Sequence, residues 1–546
     1  MKFKLIVILI FVLCTYLGLK GLGNTYFWDD ESIIAYFAGN LLRFGVLTGW
    51  DGRNMMAYNN GRELNNDLIS NYTPPLQCYI TALSFYLLGI STWVGRLPFV
   101  IFGLLSLLIF FLLLRKDFED KKQAALWIYA LATLCFSSTF LLNIRQCKYY
   151  ALGLFFPLAI FYGYRLWLTT KKVRWLILIT AASILFFYSS LLLCAAFLFS
   201  LAALHLLFYS KGLTAKDWLK LFLAVISFIL STLQYAIWQF SSPVKNSFSD
   251  RITLLWWNVR DLNLINCLPW MIAAGLAYCL IKHKKEKDVA DKALQWGVLI
   301  FGYILFLSLF SPQPIAYTRI ADVRYLMPVV PFLAGLIGIF LWFIHRKNKL
   351  LAVILLLILV NTNFLTLTPS NNKFRWLLPA YIYEIHHSYP TCYSESADFL
   401  FKNAKQDDLV YAFPEYCNYP LIFYSGDKFK FGCLLNYNTT LNVDKMRRLD
   451  SVLFIEENFP QWFIMFGRHL DALNLLNYFS RPHYENDKFI RYDYQAAATL
   501  DVYWQDMSRP ELPWHNFGPK KDFDRNTEAV YIYKRSSPIE VTDNVL

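Results

Sequence analysis

Apolar runs of membrane-spanning length recur from residue 5 to residue 366 and then stop. They fall at 5–23, 93–114, 123–143, 151–168, 175–190, 191–209, 218–238, 263–281, 293–311, 325–344 and 349–366. Each reaches or approaches the ~20 residues that an α-helix needs to cross hydrocarbon. The pattern predicts a polytopic α-helical membrane protein with about 11 transmembrane helices. One more apolar run, Leu76 to Ile90, has only about 15 residues, short of a full crossing. It reads as a juxtamembrane helix at the outer face. The first run lacks a small-residue cleavage site before the polar residues that follow, so it reads as a span and not a removable leader.

After residue 366 the periodicity changes. Ser394 to Lys405 has helical spacing, and short β-branched or aromatic runs predict strands at Leu409–Phe413, Pro420–Tyr424, Val452–Ile455, Trp462–Phe466, Thr499–Trp504 and Ala529–Tyr533. Two domains are expected: residues 1–366 in the membrane, including a first outer loop at 24–92 with juxtamembrane helices, and a soluble α/β domain at 367–546.

Composition excludes a soluble enzyme, since 56% of the 546 residues are hydrophobic and only 17% charged. The formal charge of +13 is topology information and not a nucleic-acid footprint, because the Lys and Arg fall in short clusters between apolar runs. Arg115/Lys116/Lys121/Lys122, Lys171/Lys172/Arg174, Lys211/Lys216, Lys282/Lys284/Lys285/Lys287 and Arg346/Lys347/Lys349 all lie on one side if the 76–90 run does not cross. The positive-inside rule makes that side cytoplasmic, with the N-terminus cytoplasmic and the C-terminal domain periplasmic or extracellular. The chain is expected in the cell inner (plasma) membrane. Ten scattered Cys without C-x-x-C spacing read as small core residues.

The outer face collects the candidate chemistry. Asp29, Asp30 and Glu31 follow Phe27 and Trp28 just outside the first span, and charges there in so apolar a chain point to function. The bland reading is the first turn of a helix over the apolar stretch from Ile33. Arg145, Lys148 and Tyr149 occupy a short second outer loop, and Arg324 and Tyr325 precede a late span. Asp250, Arg251, Arg260, Asp261, Arg319 and Asp322 lie in other outer loops. Basic groups hold phosphate while a carboxylate acts on an acceptor; the bland reading of the basic groups, and of Arg96, is snorkelling at helix ends. His386 and His387 are adjacent, and His469, His483 and His515 isolated, which is no metal-ligand spacing. The proline- and aromatic-rich run Arg509 to Phe517 reads as a rigid turn or as a flap over the membrane site. No glycine-rich phosphate loop, H-E-x-x-H or G-x-S-x-G occurs in the tail.

The acid pair after span one, the Pro74-Pro75-Leu76 start of a short helix, Gly89, the run Gly95 to Leu105, Arg145 to Leu152 and Arg324-Tyr325-Leu326-Met327-Pro328 together resemble glycosyltransferase family 39. That family includes protein O-mannosyltransferases and lipid A aminoarabinose transferases. The resemblance covers about 1–366 and implies the GT-C fold and a polyprenyl-phosphate-linked sugar as donor. It implies Asp30 as general base with Glu31 following, Asp29 leaving the register open by one. Tyr72 and Thr73 stand where aminoarabinose transferases have Glu-Lys, so the phosphate contact passes to Lys148, Arg145 or Arg324, and aminoarabinose is disfavoured as the sugar. The implied reaction is an inverting transfer to a glycan, lipid or protein acceptor. No cofactor is called for, with a divalent metal left open. A transporter or flippase of lipid-linked sugars would want charges inside spans and inverted repeats; a membrane-anchored assembly protein would work through its tail.

Overall fold

The computed structural model describes residues 2–57, 59–71, 73–120, 123–239, 247–282, 286–311, 323–369, 373–454, 459–485, 488–504, 510 and 523–540. Tyr72, Lys121, Lys122, Lys284, Lys285, Arg319, Asp322, Ile455, His515 and, apart from Pro510, the run Arg509 to Phe517 lie outside them.

The helices to residue 361 are α1 (Lys2–Leu19), α2 (Asp29–Phe44), α3 (Pro75–Leu88), α4 (Thr92–Asp117), α5 (Ala124–Cys135), α6 (Ser138–Ile144), α7 (Tyr150–Thr170), α8 (Val173–Ser189), α9 (Leu191–Phe208), α10 (Ala215–Gln239), α11 (Phe248–Leu264), α12 (Trp270–Lys282), α13 (Lys287–Phe310), α14 (Val330–Lys347) and α15 (Lys349–Asn361). Each of the eleven predicted runs contains helix. Among the described residues six helices are by themselves long and apolar enough to cross a membrane, and α5 with α6, bent by 57°, makes a seventh when the pair is counted as one span. The helices at Phe3–Leu19, Val173–Ser189, Trp270–Lys282 and Lys349–Asn361 are shorter.

Two departures from the hydropathy reading stand out. The 263–281 run is broken before Pro269, so its helix starts at Trp270. Residues 248–262, expected as loop, form α11 together with the first two residues of the 263–281 run, started by a capping box in which the Ser247 side chain accepts from the Asp250 N–H and the Asp250 carboxylate takes the Ser247 N–H. Its charges hide an amphipathic helix from hydropathy.

The chain forms two compact units, and their division is not that of hydropathy. The first gathers Met1–Leu22 with Arg96–His386; the second joins Gly23–Gly95 to the main part of the tail from His387. In the first unit the helices pack through small residues: a Cβ on Gly338 of α14 would lie 2.6 Å from the Cβ of Ala130 on α5.

The tail adds α16 (Leu378–His386) to the first unit and, in the second, α17 (Cys392–Asn403), β1 (Leu409–Phe413), α18 (Asn418–Ser425), β2 (Lys430–Phe431), β3 (Cys433–Leu435), β4 (Val452–Phe454), β5 (Trp462–Phe466), β6 (His483–Glu485), β7 (Lys488–Arg491), β8 (Tyr494–Leu500), β9 (Val530–Arg535) and β10 (Ile539–Glu540). A five-stranded sheet runs β2-β1-β5-β9-β8, with three-stranded β10-β7-β6 and two-stranded β3-β4 beside it in sequence. β1 is parallel to β2 and β5, while β9 is antiparallel to β5 and β8. The expected strand at Pro420–Tyr424 is helix α18, because Pro420 falls in its first turn, where no intrahelical N–H is needed. The expected strand at Thr499–Trp504 ends at Leu500.

The first outer loop is a layer of this second unit. Asn54 Oδ1 accepts from Phe431 N (2.9 Å), Ser451 Oγ from Met55 N (3.0 Å) and Asn60 Oδ1 from Asn436 N (2.7 Å). Met55, Ala57, Leu64 and Leu68 share a buried core with Cys433, Leu435, Leu441, Met446, Val452 and Phe454. α3 has 14 residues, about 21 Å of helix against ~30 Å of hydrocarbon. Its Tyr79, Leu83, Tyr86 and Leu87 are exposed.

Candidate active site

The acid cluster is the first turn of α2. Asp29, Asp30 and Glu31 lie where exposed N–H groups and the helix dipole favour negative charge. No side chain caps this end; Trp28 is the extended N-cap residue, and Asp29 Oδ1 accepts from the Asp30 N–H at 2.8 Å. Successive helical side chains are ~100° apart, so Glu31 is fully buried while Asp29 and Asp30 are half-buried.

The turn is held from within its own unit. Tyr424 of α18 stacks on Tyr26 at 3.6 Å, and its hydroxyl accepts from Phe27 N at 2.6 Å and bonds Thr92 Oγ1 at 2.8 Å. Phe27 is buried, 5.1 Å from the Phe423 ring. A Cβ at Gly95 would come within 2.6 Å of the Phe27 ring, so the first glycine of the Gly95 to Leu105 run is where α4 needs no side chain.

Tail residues crowd this turn, and no sequence motif pointed to them. Burial first, and then the Asp29 charge among other neighbours, push up the thiols of Cys392 and Cys417 and the phenol of Tyr393. Burial, Cys417, Asp29 and Asp30 do the same to Tyr416. A second acidic place lies deeper. Glu63 is 7% exposed, and burial, partly offset by its own backbone N–H and with Glu415 adding repulsion, raises it to about 8. Glu415 is raised to about 7 by burial, partly offset by the Leu434 N–H that it accepts at 2.9 Å.

The basic residues belong to the first unit. Arg145 Nη1 donates to the carbonyls of Leu17, Gly18 and Lys20 at 3.2, 3.0 and 2.6 Å, and Nη2 to Gly21 at 2.8 Å. Leu17 and Gly18 supply carbonyls left over at the negative end of α1, and Lys20 and Gly21 follow it directly, so the guanidinium caps that helix. Tyr381 lies beneath it and donates to the Leu17 carbonyl at 2.7 Å. Arg96, buried, caps the same chain end by donating to Leu22 O at 2.9 Å.

Lys148 and Tyr149 are half-buried, and Tyr149 meets buried Tyr150 edge-on at 4.9 Å. Arg324 Nη1 donates to Tyr150 Oη at 3.2 Å, and Tyr303 fixes Tyr325 by donating to its carbonyl at 2.5 Å. The second outer loop and the Arg324 to Pro328 stretch, far apart in sequence, are thus brought together. Asp261 is buried and paired with Arg260 at 2.7 Å. His386 bonds Tyr16 Oη at 2.7 Å and His483 stacks on Phe459. Among the described residues no three His, Cys, Asp or Glu side chains gather as a metal-binding group.

The architecture is the GT-C fold, a part built of many apolar helices followed by an α/β region. The chain is similar to crystal structures of ArnT from Cupriavidus metallidurans. The apo form matches with TM-score 0.54 and 13% identity over 88% of this chain and 94% of that one. The form bound to undecaprenyl phosphate matches with TM-score 0.53 and 13% identity over 96% and 97%. The Archaeoglobus fulgidus oligosaccharyltransferase in complex with Zn and sulfate gives TM-score 0.47 and 11% identity over 84% and 67%. No protein-family model and no curated protein sequence matches the chain.

Proposed function

We propose that the chain is a membrane glycosyltransferase that moves a sugar from a polyprenyl-phosphate donor to an acceptor hydroxyl on the outer face of the membrane. The observation that carries this reading is three consecutive acids on the first turn of α2, two of them half-buried, in a chain with the fold of an ArnT whose crystal structure holds undecaprenyl phosphate. In the reaction the acceptor oxygen attacks the anomeric carbon, the bond from that carbon to the phosphate oxygen breaks, and polyprenyl phosphate leaves. Asp30 takes the acceptor proton as general base. Glu31, buried one residue on, helps set the turn.

Lys148 and Arg324 neutralise the phosphate as it departs, which makes the lipid phosphate an effective leaving group. Tyr149 and Tyr325, next to them in sequence, are assigned to the same phosphate site. Arg145 serves the same phosphate site by fixing the second outer loop to the end of α1. A single displacement inverts the configuration at the anomeric carbon. The charge pattern supports an N-terminus in the cytoplasm and a tail outside it, and residues before 366 carry the chemistry. Mass spectrometry of cell-surface glycans and lipids, with and without the protein, tests the reading. One class of molecule should lose the mass of one sugar when the protein is absent; identical profiles would refute the proposal.

A further inference from the structure

Between β1 and α18 the chain makes a short turn whose backbone is fixed on both sides. Buried Asn418 accepts from Ala412 N at 3.0 Å through Oδ1 and donates through Nδ2 to Ala412 O at 3.3 Å and Glu415 O at 2.9 Å. Glu415 in turn accepts the Leu434 N–H. Tyr416 is the residue this bracing presents, and the turn packs against α2.

Three tyrosines of the tail surround the acid turn, and two have structural employment. The Tyr424 hydroxyl is taken up by Phe27 N and Thr92 Oγ1. That of Tyr393, buried, lies 3.7 Å from Cys417 Sγ. Tyr416 is half-buried, and its hydroxyl has no hydrogen-bond partner among the described residues. Burial first, and then the charges of Cys417, Asp29 and Asp30, oppose its ionisation, so the phenol stays neutral and keeps its proton to donate. A donor on a braced turn packed against the helix that carries two carboxylates, its hydroxyl unpaired among the described residues, suits a ligand that supplies one hydroxyl hydrogen and one oxygen side by side.

Resting on the transferase reading, we infer that Tyr416 is an acceptor-binding residue: its phenol donates to an oxygen adjacent to the hydroxyl that Asp30 deprotonates, as in a vicinal diol of a sugar acceptor. The tail then contributes to choosing the acceptor and has no part in holding the donor phosphate.

The test uses full-length protein in proteoliposomes, supplied with membranes from cells lacking it, which hold the unmodified acceptor and the lipid-linked donor. Transfer is followed by mass spectrometry across a dilution series of those membranes. Loss of one neutral hydrogen bond made equally in ground and transition states raises half-saturation without lowering the maximal rate. Tyr416→Phe should therefore need about 3- to 10-fold more membrane for half-maximal transfer, at an unchanged maximal rate and with unchanged thermal stabilisation by undecaprenyl phosphate. Half-saturation equal to wild type, or a lower maximal rate alone, overturns the inference. So does loss of the undecaprenyl phosphate stabilisation, which would make Tyr416 structural. Wild-type protein that transfers nothing and is not stabilised by undecaprenyl phosphate overturns the transferase reading itself, and this inference with it.

Discussion

Two charged places in this molecule are built on opposite plans. In the helical unit, Arg165 of α7 is paired with Asp117, the last residue of α4, at 3.1 Å, with both side chains almost wholly buried. The guanidinium also donates to Gln295 at 2.7 Å and to the Tyr209 hydroxyl, and it lies over the Phe161 ring. Asp117 further accepts from Trp296 Nε1 at 3.1 Å. Four helices or their ends meet there, Lys292 of α13 also stands 4.0 Å from Asp117, and opposite charges are gathered in one place. At the first turn of α2 the acids share one sign and two remain half-buried. A buried charge in an apolar chain is functional by default. The comparison teaches that the default must be weighed against the sign of the charges gathered around the group and against its burial.

If Arg165 and Asp117 form a closed structural knot, removing one partner alone is costly because the other is left buried and charged. Asp117→Leu should lower stability by about 3–5 kcal/mol, read as thermal unfolding in detergent, and adding Arg165→Met should recover part of that loss. A single variant as stable as wild type would show that the knot is not closed.

Glu63 sharpens the contrast from within the second unit. Its carboxyl has an ordinary value of 4.5 and is raised to about 8 in the folded protein, so the folded state holds its proton more tightly than the unfolded chain does. The stability it contributes is complete below about 4.5 and is lost as pH rises through about 8. Glu415, raised to about 7, acts in the same direction. Unfolding of the tail, followed by limited proteolysis, should become easier from pH 5 to pH 9 by a few kcal/mol, on the order of 1.4 kcal/mol per pH unit for one such group. Glu63→Gln should flatten that slope. An unchanged slope would remove Glu63 as its source.

Gly95→Val offers a smaller effect on the support of the acid turn. The added side chain meets the Phe27 ring, and overpacking of this kind costs about 1–3 kcal/mol. A concomitant Phe27→Ala should relieve the clash, though not the lost packing. If Gly95→Val is neutral on its own, the Phe27 contact does not constrain the turn.

How much of this was legible in the sequence varied with the range of the interaction. β1 and β5 lie where Leu409–Phe413 and Trp462–Phe466 predicted them, because short apolar β-branched and aromatic runs carry a local signal. Pro420–Tyr424 has the same local character and folds as helix, since a five-residue apolar run does not separate buried helix from strand. The acid turn of α2 was visible as three charges beside a span. Its tail neighbours were not, since Tyr416 and Cys417 lie nearly 390 positions from Asp29 and belong to no motif. The joining of residues 23–95 to the tail was hidden for a similar reason. It rests on hydrogen bonds such as Asn54 to Phe431, which hydropathy cannot register.

The central claim is that Asp30 is the base. Asp30→Asn keeps the size of the side chain and removes its charge, so full-length protein should be made in normal amount while sugar transfer from the lipid-linked donor falls by about 10²- to 10⁴-fold. Asp29→Asn, measured alongside, settles which of the two neighbouring acids takes the proton: loss in that variant alone moves the role by one residue. Transfer retained at the wild-type rate in both would contradict the account.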